Sequence, residues 1–319
     1  MTVAAAAPLR LVFFGTPEFA VPSLEALLSS THHVAAVVTQ PDRPSGRGHK
    51  TRDAPVKALA IAAGVDVLQP GRLKDPSFIG AFRGLNADLA VVAAYGRILT
   101  DEILAVPTRG FVNVHGSLLP RYRGAAPVHR AVIAGERETG VTIMRVVHAL
   151  DAGPMLAKMA RPISADETSA EVERDLSRIG AELLVNTLNR LAAGEVEEVA
   201  QDDRDATYAH KLTREDGAVN WQWPAERIHN LIRGLHPWPH AFAYLDTARV
   251  ILRRSRWSPE SSPLSPGTIV EATGDRLAVA AGSGIVELTE IQPEGRRPMA
   301  VRDFLAGHPL AQGTRFRSA

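Results

Sequence analysis

The amino-acid sequence predicts an α/β domain built on a doubly wound, mostly parallel sheet, followed by a small β-barrel domain. The first half of the chain alternates short apolar runs with longer amphipathic ones, which is the pattern of strands joined by crossover helices. Farther along, short strand-like runs are separated by Gly, Pro and Ser, as is typical of a barrel. A length of 319 residues leaves room for two cores.

The predicted strands of the first domain are short apolar runs, rich in Val and Phe and closed by turn residues. They cover residues 9–14, 34–39, 89–94, 110–115 and 141–147. Amphipathic segments between them predict helices over 20–29, 54–63, 76–83 and 126–134. Residues 167–193 carry apolar side chains at helical spacing and are followed by Gly194, which predicts a long helix with a glycine stop.

The stretch after Gly194 is acidic and poor in large apolar residues, and we interpret it as a linker. We therefore expect a catalytic domain over 1–194, a linker over 195–208 and a barrel domain over 209–319. The barrel strands are expected near 243–245, 250–252, 267–270, 277–280 and 285–288.

Composition excludes several classes of site. The chain has no cysteine, so disulfides, thiolate nucleophiles, iron–sulfur clusters and cysteine-ligated zinc are ruled out. No His, Asp or Glu spacing suggests another metal site. The N-terminus has no cationic segment before its apolar stretch, and no apolar run approaches the roughly 20 residues that span a bilayer, so we expect a cytoplasmic protein without a membrane partner. The net charge of +1 gives no overall basic field, but the surplus positive charge lies from Ala209 onward.

The densest chemical signal is the stretch 113–127, NVHGSLLPRYRGAAP, which follows a predicted strand and precedes a helix. Open α/β sheets bind their ligands at the carboxyl ends of strands. Asn113 and His115 are two residues apart, so they project from the same face of that strand. Asp151 follows the strand over 141–147 and could lie near His115. An amide, an imidazole and a carboxylate together can bind an oxyanion and move a proton.

Each of these residues also has an ordinary structural interpretation. His115 alone would be a satisfied core histidine, Asn113 a turn cap, and Asp151 an Asx-turn residue before Gly153. Their combination favours catalysis. A dinucleotide-binding loop after the first strand is strongly disfavoured, because residues 15–17 lack the G-x-G-x-x-G pattern and Pro17 has no N–H for a phosphate.

The Asn-x-His…Asp pattern, with its Ser-Leu-Leu-Pro loop and Leu-Asp-x-Gly turn, resembles the folate-dependent formyltransferase superfamily. Two further stretches, FGTPEFAVP at 14–22 and TQPDRPSGRG at 39–48, are similar to the branch that acts on methionyl-tRNA. The resemblance covers the first domain almost continuously and the barrel more loosely. It implies a Rossmann-like catalytic domain and an OB-like barrel.

The resemblance implies transfer of the formyl group of 10-formyltetrahydrofolate to the α-amino group of initiator methionyl-tRNA, in support of translation initiation. The transfer would be direct, through a tetrahedral intermediate, with Asn113, His115 and Asp151 as catalytic residues. The folate site would be lined by Ser117, Leu118, Leu119, Pro120, Tyr95, Gly96, Arg97, Ile98 and Leu99. The acceptor arm of tRNA would be held by the barrel and by a basic loop with Arg43, Arg47, Lys50 and Arg52. No obligatory protein partner is implied.

Alternatives remain at three points. An enzyme of the same chemistry on a nucleotide-linked amino sugar would need neither the basic loop nor the barrel, and a catalytically idle RNA-binding protein would not need the complete Asn-His-Asp set. The basic loop could be a solvated surface, although its Gly and Pro residues favour RNA contact. Four barrel arginines could be structural or face RNA: Arg249, Arg253, Arg254 and Arg256. The chain also departs from the family pattern at His49, at 51–53 and at Arg97.

Overall fold

The computed structural model describes residues 7–42, 44–45, 50–51 and 53–318. The chain forms two compact units. The first contains Met1–Ala125, Thr139–Arg161 and Glu173–Ala209, and the second contains Ala126–Glu138, Pro162–Val172 and His210–Ala319. Residues 195–208, which we expected to form a linker, are counted within the first unit. The division of the chain into domains that fold independently stays a prediction.

The strands of the described residues are numbered in chain order. In the first unit they include β1 (Arg10–Gly15), β2 (His33–Val38), β3 (Pro44–Ser45), β4 (Lys50–Thr51), β5 (Val67–Leu68), β6 (Leu89–Ala93), β7 (Phe111–His115), β8 (Arg123–Gly124), β9 (Glu138–Arg145), β10 (Met155–Pro162) and β11 (Tyr208–Ala209). The second unit contains β12 (Ala241–Leu245), β13 (Ala248–Ser258), β14 (Ile269–Thr273), β15 (Arg276–Ala280), β16 (Ile285–Pro293), β17 (Met299–Ala300) and β18 (Phe316–Arg317).

The helices begin where local chemistry favours a helix start. They are α1 (Val21–Leu28), α2 (Pro55–Ala62), α3 (Pro76–Gly84), α4 (Asp101–Leu104), α5 (Pro127–Ile133), α6 (Ser169–Ala192), α7 (Ala225–Gly234) and α8 (Val301–Gly307). Three of them start on proline, whose missing N–H is not needed at that position. At α6, Thr168 and Glu171 cap each other: the Glu171 carboxylate accepts from the Thr168 backbone N–H at 2.8 Å and from its hydroxyl at 2.7 Å.

The first unit is built on a sheet with the strand order β10-β9-β7-β6-β1-β2-β5. β1 pairs in parallel with β2 and β6, and β7 pairs in parallel with β6, whereas β9 runs antiparallel to β7. One face packs on α3 through an aromatic cluster in which Phe14 and Phe82 meet edge to face, with ring centroids 5.4 Å apart. The predicted doubly wound, mostly parallel fold is confirmed.

The second unit contains an antiparallel sheet with the order β14-β15-β16-β13-β12-β18, to which β17 adds at β16. This agrees with the expected OB-like barrel. Helix α7 was not predicted, although its apolar residues have helical spacing and are buried, namely Ile228, Leu231, Ile232 and Leu235. The helix packs closely on α5, because a Cβ on Gly234 would lie 2.4 Å from Ile133 Cγ1.

Candidate active site

The carboxyl ends of β1, β2, β6 and β7 lie at one edge of the first sheet, because these strands are parallel. Ala93, the last residue of β6, is paired with Val114 of β7. The segment 94–99 that leaves β6 therefore starts beside His115. The segments 95–99 and 117–120, which were both predicted to line the folate site, therefore start at the same edge of the sheet.

Strand alternation decides which side chains of β7 face the site. Val112 and Val114 are buried, and a Cβ on Gly180 of α6 would lie 2.9 Å from Val114 Cγ1. The helix therefore packs directly on the face that carries Val114. Asn113 and His115 project from the opposite face of the strand, at its carboxyl end.

His115 is buried, with 5% of its side chain exposed, and each ring nitrogen faces a different group. Nε2 lies 3.0 Å from the Tyr122 carbonyl oxygen. Because a carbonyl oxygen can only accept, Nε2 is the nitrogen that carries the proton in the neutral ring. Nδ1 lies 3.7 Å from Asp151 Oδ2, which is within ion-pair distance but longer than a hydrogen bond. Nδ1 is thus the ring nitrogen left for proton exchange.

Asp151 reaches His115 from a tight turn between β9 and β10. Its own backbone is in the left-handed region, with φ of 47°. Two residues on, a Cβ at Gly153 would lie 1.9 Å from the Arg145 carbonyl oxygen, so only glycine fits there. The Asp151 Oδ2 atom accepts a hydrogen bond from the Gly124 backbone N–H at 2.9 Å. The carboxylate is therefore fixed by β8 and directed toward the imidazole.

Asn113 is half-buried beside this pair. Among the described residues, no protein group is hydrogen-bonded to its side chain. A half-buried amide that the protein leaves unused is available to donate to a substrate oxygen. Of the three residues predicted to be catalytic, Asn113 and His115 thus lie at the carboxyl end of β7, and Asp151 reaches His115 from the turn between β9 and β10.

The loop 117–120, expected to line a folate site, is largely turned into the protein. The Ser117 hydroxyl is fully buried and donates to the Arg121 carbonyl at 2.6 Å, and Leu119 packs with Met144 and Met155. Thr142 accepts from the Leu119 N–H at 3.1 Å and donates to the Ser117 carbonyl at 2.7 Å. Leu118 and Pro120 are half-buried. These contacts fix the loop.

The second segment expected at that site, residues 95–99, has an inner and an outer side. The side chains of Tyr95 and Leu99 are buried, and burial raises the pKa of Tyr95. The guanidinium of Arg97 donates to the carbonyls of Pro70 and Gly71, both at 3.0 Å. The arginine that departs from the family pattern is thus bound to a neighbouring loop. Gly96 is exposed.

Large apolar side chains are exposed on two segments, the one that leaves β6 and the one between β9 and β10 that also carries Asp151. Ile98 is 84% exposed, Leu150 is 57% exposed and Val147 is 40% exposed. The two segments that carry them are linked through Asp101 and His148, whose side-chain atoms are 3.1 Å apart. Exposed apolar groups next to a polar cluster indicate a ligand-binding surface.

Most of the predicted basic loop lies outside the described residues, namely Arg43, Arg47 and Arg52. Lys50 is described only through its backbone, in β4, which pairs antiparallel with β3. The base of the loop is well defined. The Lys57 ammonium forms ion pairs with Asp42 and with Asp53, one on each side of the loop, and these carboxylates raise its pKa.

The four barrel arginines differ in their partners. Arg253 donates to Glu290 at 2.8 Å, Arg254 donates to Glu171 at 3.1 Å, and Arg249 lies over the Phe242 ring at 3.9 Å. Each of these three has a partner within the protein. Arg256 has no ion pair among the described residues.

Several residues that shape the site were not selected from the sequence. The Tyr122 carbonyl rather than Asp151 makes the direct hydrogen bond to the imidazole. Arg123 and Gln201 support the turn that carries Asp151. Arg123 belongs to the motif over 113–127, whereas Gln201 lies in the stretch that was interpreted as a linker and matches no motif. Within the described part of the chain, no His, Asp and Glu group suited to a metal ion is found, and no helix is long and apolar enough to cross a membrane.

Comparison with known proteins agrees with this geometry. The family described as formyl transferase matches residues 9–188, and the formyl transferase C-terminal domain matches residues 211–309. The methionyl-tRNA formyltransferase of Moorella thermoacetica is 47% identical over 305 residues, which cover 96% of this chain and 98% of that protein. The chain belongs to the methionyl-tRNA formyltransferase family. It is therefore a one-carbon group transferase.

A second relative and a solved structure are also similar to this chain. The methionyl-tRNA formyltransferase of Acetivibrio thermocellus is 45% identical over 306 residues, covering 96% of this chain and 98% of that protein. An N-formyltransferase from Helicobacter canadensis, solved with folinic acid and dTDP-3-aminofucose, superposes with a TM-score of 0.68 at 18% identity, over 88% of this chain and 99% of that one. At that identity the likeness concerns the fold alone.

Proposed function

We propose that this chain transfers the formyl group of 10-formyltetrahydrofolate to the α-amino group of initiator methionyl-tRNA. The observation that carries the proposal is the set formed by Asn113, His115 and Asp151, in a chain that matches methionyl-tRNA formyltransferases over almost its whole length. The formylated product would serve translation initiation.

The reaction is a direct acyl transfer, in which one bond to the formyl carbon forms and one breaks. The methionyl nitrogen forms a bond to the formyl carbon, the carbonyl oxygen becomes an oxyanion, and the bond from that carbon to N10 of the folate then breaks. The amine loses one proton and N10 gains one. An ordinary α-amino group has a pKa of about 7.7–8.0, so a neutral fraction is already present at physiological pH and no strong base is needed. No covalent enzyme intermediate is required.

His115 would stabilise the oxyanion through Nδ1. Since Nε2 donates to the Tyr122 carbonyl, a proton on Nδ1 makes the ring an imidazolium that can donate to the developing negative charge. Asp151, whose Oδ2 is 3.7 Å from Nδ1, would stabilise that charged form. The unused amide of Asn113 would donate to the same oxygen. Asp151 would also orient a water that relays the proton from the amine.

The folate would bind along the exposed apolar side chains of the segment after β6 and of the segment that carries Asp151. Ile98, Val147 and Leu150 offer a surface for flat rings, next to the polar groups that act on the formyl carbon. The loops 95–99 and 117–120 would line this site mainly through backbone and half-buried groups, since Ser117, Leu119 and Tyr95 are turned inward. The protein groups fit a reduced folate.

The acceptor arm of tRNA would be held by the basic loop and the barrel domain. The loop leaves the sheet after β2, at the same edge as His115, and Lys57 ties its two ends together. A loop fixed at its base can carry Arg43, Arg47, Lys50 and Arg52 to phosphates near the reacting amine. In the barrel, Arg256 is the candidate for which the described residues provide neither an ion pair nor an aromatic ring.

Radiolabelled formyl transfer is the direct test. Purified protein would receive 10-formyltetrahydrofolate and methionyl-tRNA, with a nucleotide-linked amino sugar in a parallel reaction. Formylation of methionyl-tRNA alone is expected. Transfer to the amino sugar instead would contradict the proposal, and transfer to neither would favour an idle RNA-binding protein.

A further inference from the structure

Residues 201–209 run along the loop that follows His115, although they fall between the two stretches that match the formyl transferase family. β11 pairs in parallel with β8. Thr207 accepts from the Tyr122 N–H through its hydroxyl at 2.8 Å and from the Arg123 N–H through its carbonyl at 2.8 Å. At Gly124, with φ of 122°, a Cβ would lie 2.7 Å from the Ala209 carbonyl oxygen. The two segments are therefore in close backbone contact.

Side chains close a ring of hydrogen bonds around the Asp151 turn. The Gln201 amide donates to the carbonyls of Asp151 and Gly153, both at 2.8 Å. Its oxygen accepts from Arg123 Nε at 3.0 Å. The next residue after Arg123, Gly124, donates its backbone N–H to the Asp151 carboxylate at 2.9 Å. The ring thus runs from β8 through Gln201 to the Asp151 turn and back to β8.

Arg123 is the buried member of this ring, with 3% of the residue exposed. Its remaining partner is Asp203, at 2.8 Å, whose side chain is 83% exposed. A buried guanidinium must satisfy its donors, so Arg123 is fixed in one orientation by two residues of the 201–209 segment. That segment also holds the backbone on either side of the Tyr122 carbonyl.

We infer that Gln201 and Arg123 are positioning residues, which hold the two groups that face the ring nitrogens of His115. The Tyr122 carbonyl faces Nε2 and the Asp151 carboxylate faces Nδ1, and both are attached to this one network. Tyr122 and Asp151 each have a positive φ, 61° and 47°, a conformation that costs energy and persists only where neighbours hold it. The inference rests on the proposed function, since it assigns a role within the same reaction.

The first experiment replaces Gln201 by methionine, which keeps the length of the side chain and removes its hydrogen bonds. Displacing a catalytic group by about 1 Å can cost on the order of 100-fold in rate. We expect the single-turnover rate to fall roughly 10- to 100-fold, while KM for methionyl-tRNA and the affinity for folate stay within about twofold. Arg204→Ala is the control, because Arg204 is exposed and, among the described residues, its guanidinium pairs with Asp202 alone. Turnover of this variant at saturating tRNA should be unchanged.

The second experiment asks whether Gln201 acts through Asp151. Gln201→Met would be combined with Asp151→Asn and both single variants measured beside the double. If Gln201 serves to hold the Asp151 carboxylate, its loss should change the rate less than threefold once that carboxylate is gone. If the rate loss of the double variant instead equals the product of the losses of the two single variants, the two residues act independently and the inference is wrong.

Folding and function must be separated in these tests. If Gln201→Met fails to fold, Gln201→Glu carries the same expectation, because it keeps the acceptor for Arg123 and loses both donors to the turn. Retention of more than a third of the wild-type rate by the folded variant would also overturn the inference. Failure of the wild-type protein to formylate methionyl-tRNA would instead contradict the proposed function before any variant is compared.

Discussion

Replacing Asp151 by asparagine isolates the charge that faces His115. In the wild-type protein the Gly124 N–H donates to Asp151 Oδ2 at 2.9 Å. Asparagine keeps an oxygen that can accept this hydrogen bond, so the turn should retain its shape. What is lost is a negative charge 3.7 Å from Nδ1. At that distance, an effective dielectric constant between about 80 and 20 gives an attraction of roughly 1 to 4 kcal/mol for an imidazolium. Since about 1.4 kcal/mol is tenfold in rate, kcat should fall roughly 5- to 700-fold.

The assay compares chemistry with binding. Single-turnover formyl transfer would be measured beside an equilibrium titration of the folate donor, and the folate affinity should stay within about twofold of wild type. Asp88→Asn is the matched control, because Asp88 also accepts from a backbone N–H, that of Arg10 at 2.7 Å, but lies at the opposite edge of the sheet. Its kcat should be unchanged. If turnover and folate affinity fall together in Asp151→Asn, the carboxylate maintains the shape of the site and its electrostatic role is refuted.

Three further outcomes are expected. Lys57→Met should loosen the base of the basic loop, so kcat/KM for methionyl-tRNA should fall several-fold while the affinity for folate is unchanged. Lys74→Met is the control, and an equal fall in that variant would show that the loss of a positive charge alone is responsible. Ile98→Ala should raise the Kd for folate by roughly 5- to 30-fold, because about 1–2 kcal/mol of apolar contact is removed, without lowering Tm; Ile61→Ala, also exposed, is the control, and an unchanged Kd for Ile98→Ala would exclude this surface. Burial alone would raise the pKa of Glu171, but hydrogen bonds from Thr168 and the charge of Arg254 lower it to about 2, so its stabilisation is complete above the ordinary value of 4.5 and is lost as pH falls toward 2. The free energy of unfolding of Glu171→Gln should therefore lie below that of wild type at pH 7 and converge with it near pH 2; parallel curves would contradict this.

Much of the catalytic unit follows from local pattern. The strand over Phe111–His115 and its neighbours were predicted to within a few residues, because runs of Val and Phe between amphipathic segments specify buried strands and crossover helices. Asn113 and His115 share a face because side chains alternate along a strand. The choice of Asp151 as a third member came from resemblance and from its position after a strand, since nothing local sets its distance to His115.

Other features could not be obtained from the sequence. α7 has the apolar spacing of a helix, but it lies between two Trp-Pro pairs, Trp223-Pro224 and Trp238-Pro239, and was not predicted. The ion pair of Arg253 depends on Glu290 of the neighbouring strand, and their contact is set by the sheet register, which shifts at this position. The inward orientation of Ser117 and Leu119 depends on Thr142 of β9. A linear motif contains none of these partners.

By itself, the sequence determined the fold class and the family of this protein and predicted its catalytic residues, because periodicity and short motifs are local properties of the chain. Only the tertiary structure decided which atoms face His115. The Tyr122 carbonyl turns toward Nε2 because residues 201–209 bind the backbone beside it, and Asp151 faces Nδ1 because Gln201 and Gly124 hold its turn. Hydrogen bonds between segments so far apart in the chain exist only after the sheet has brought their ends together.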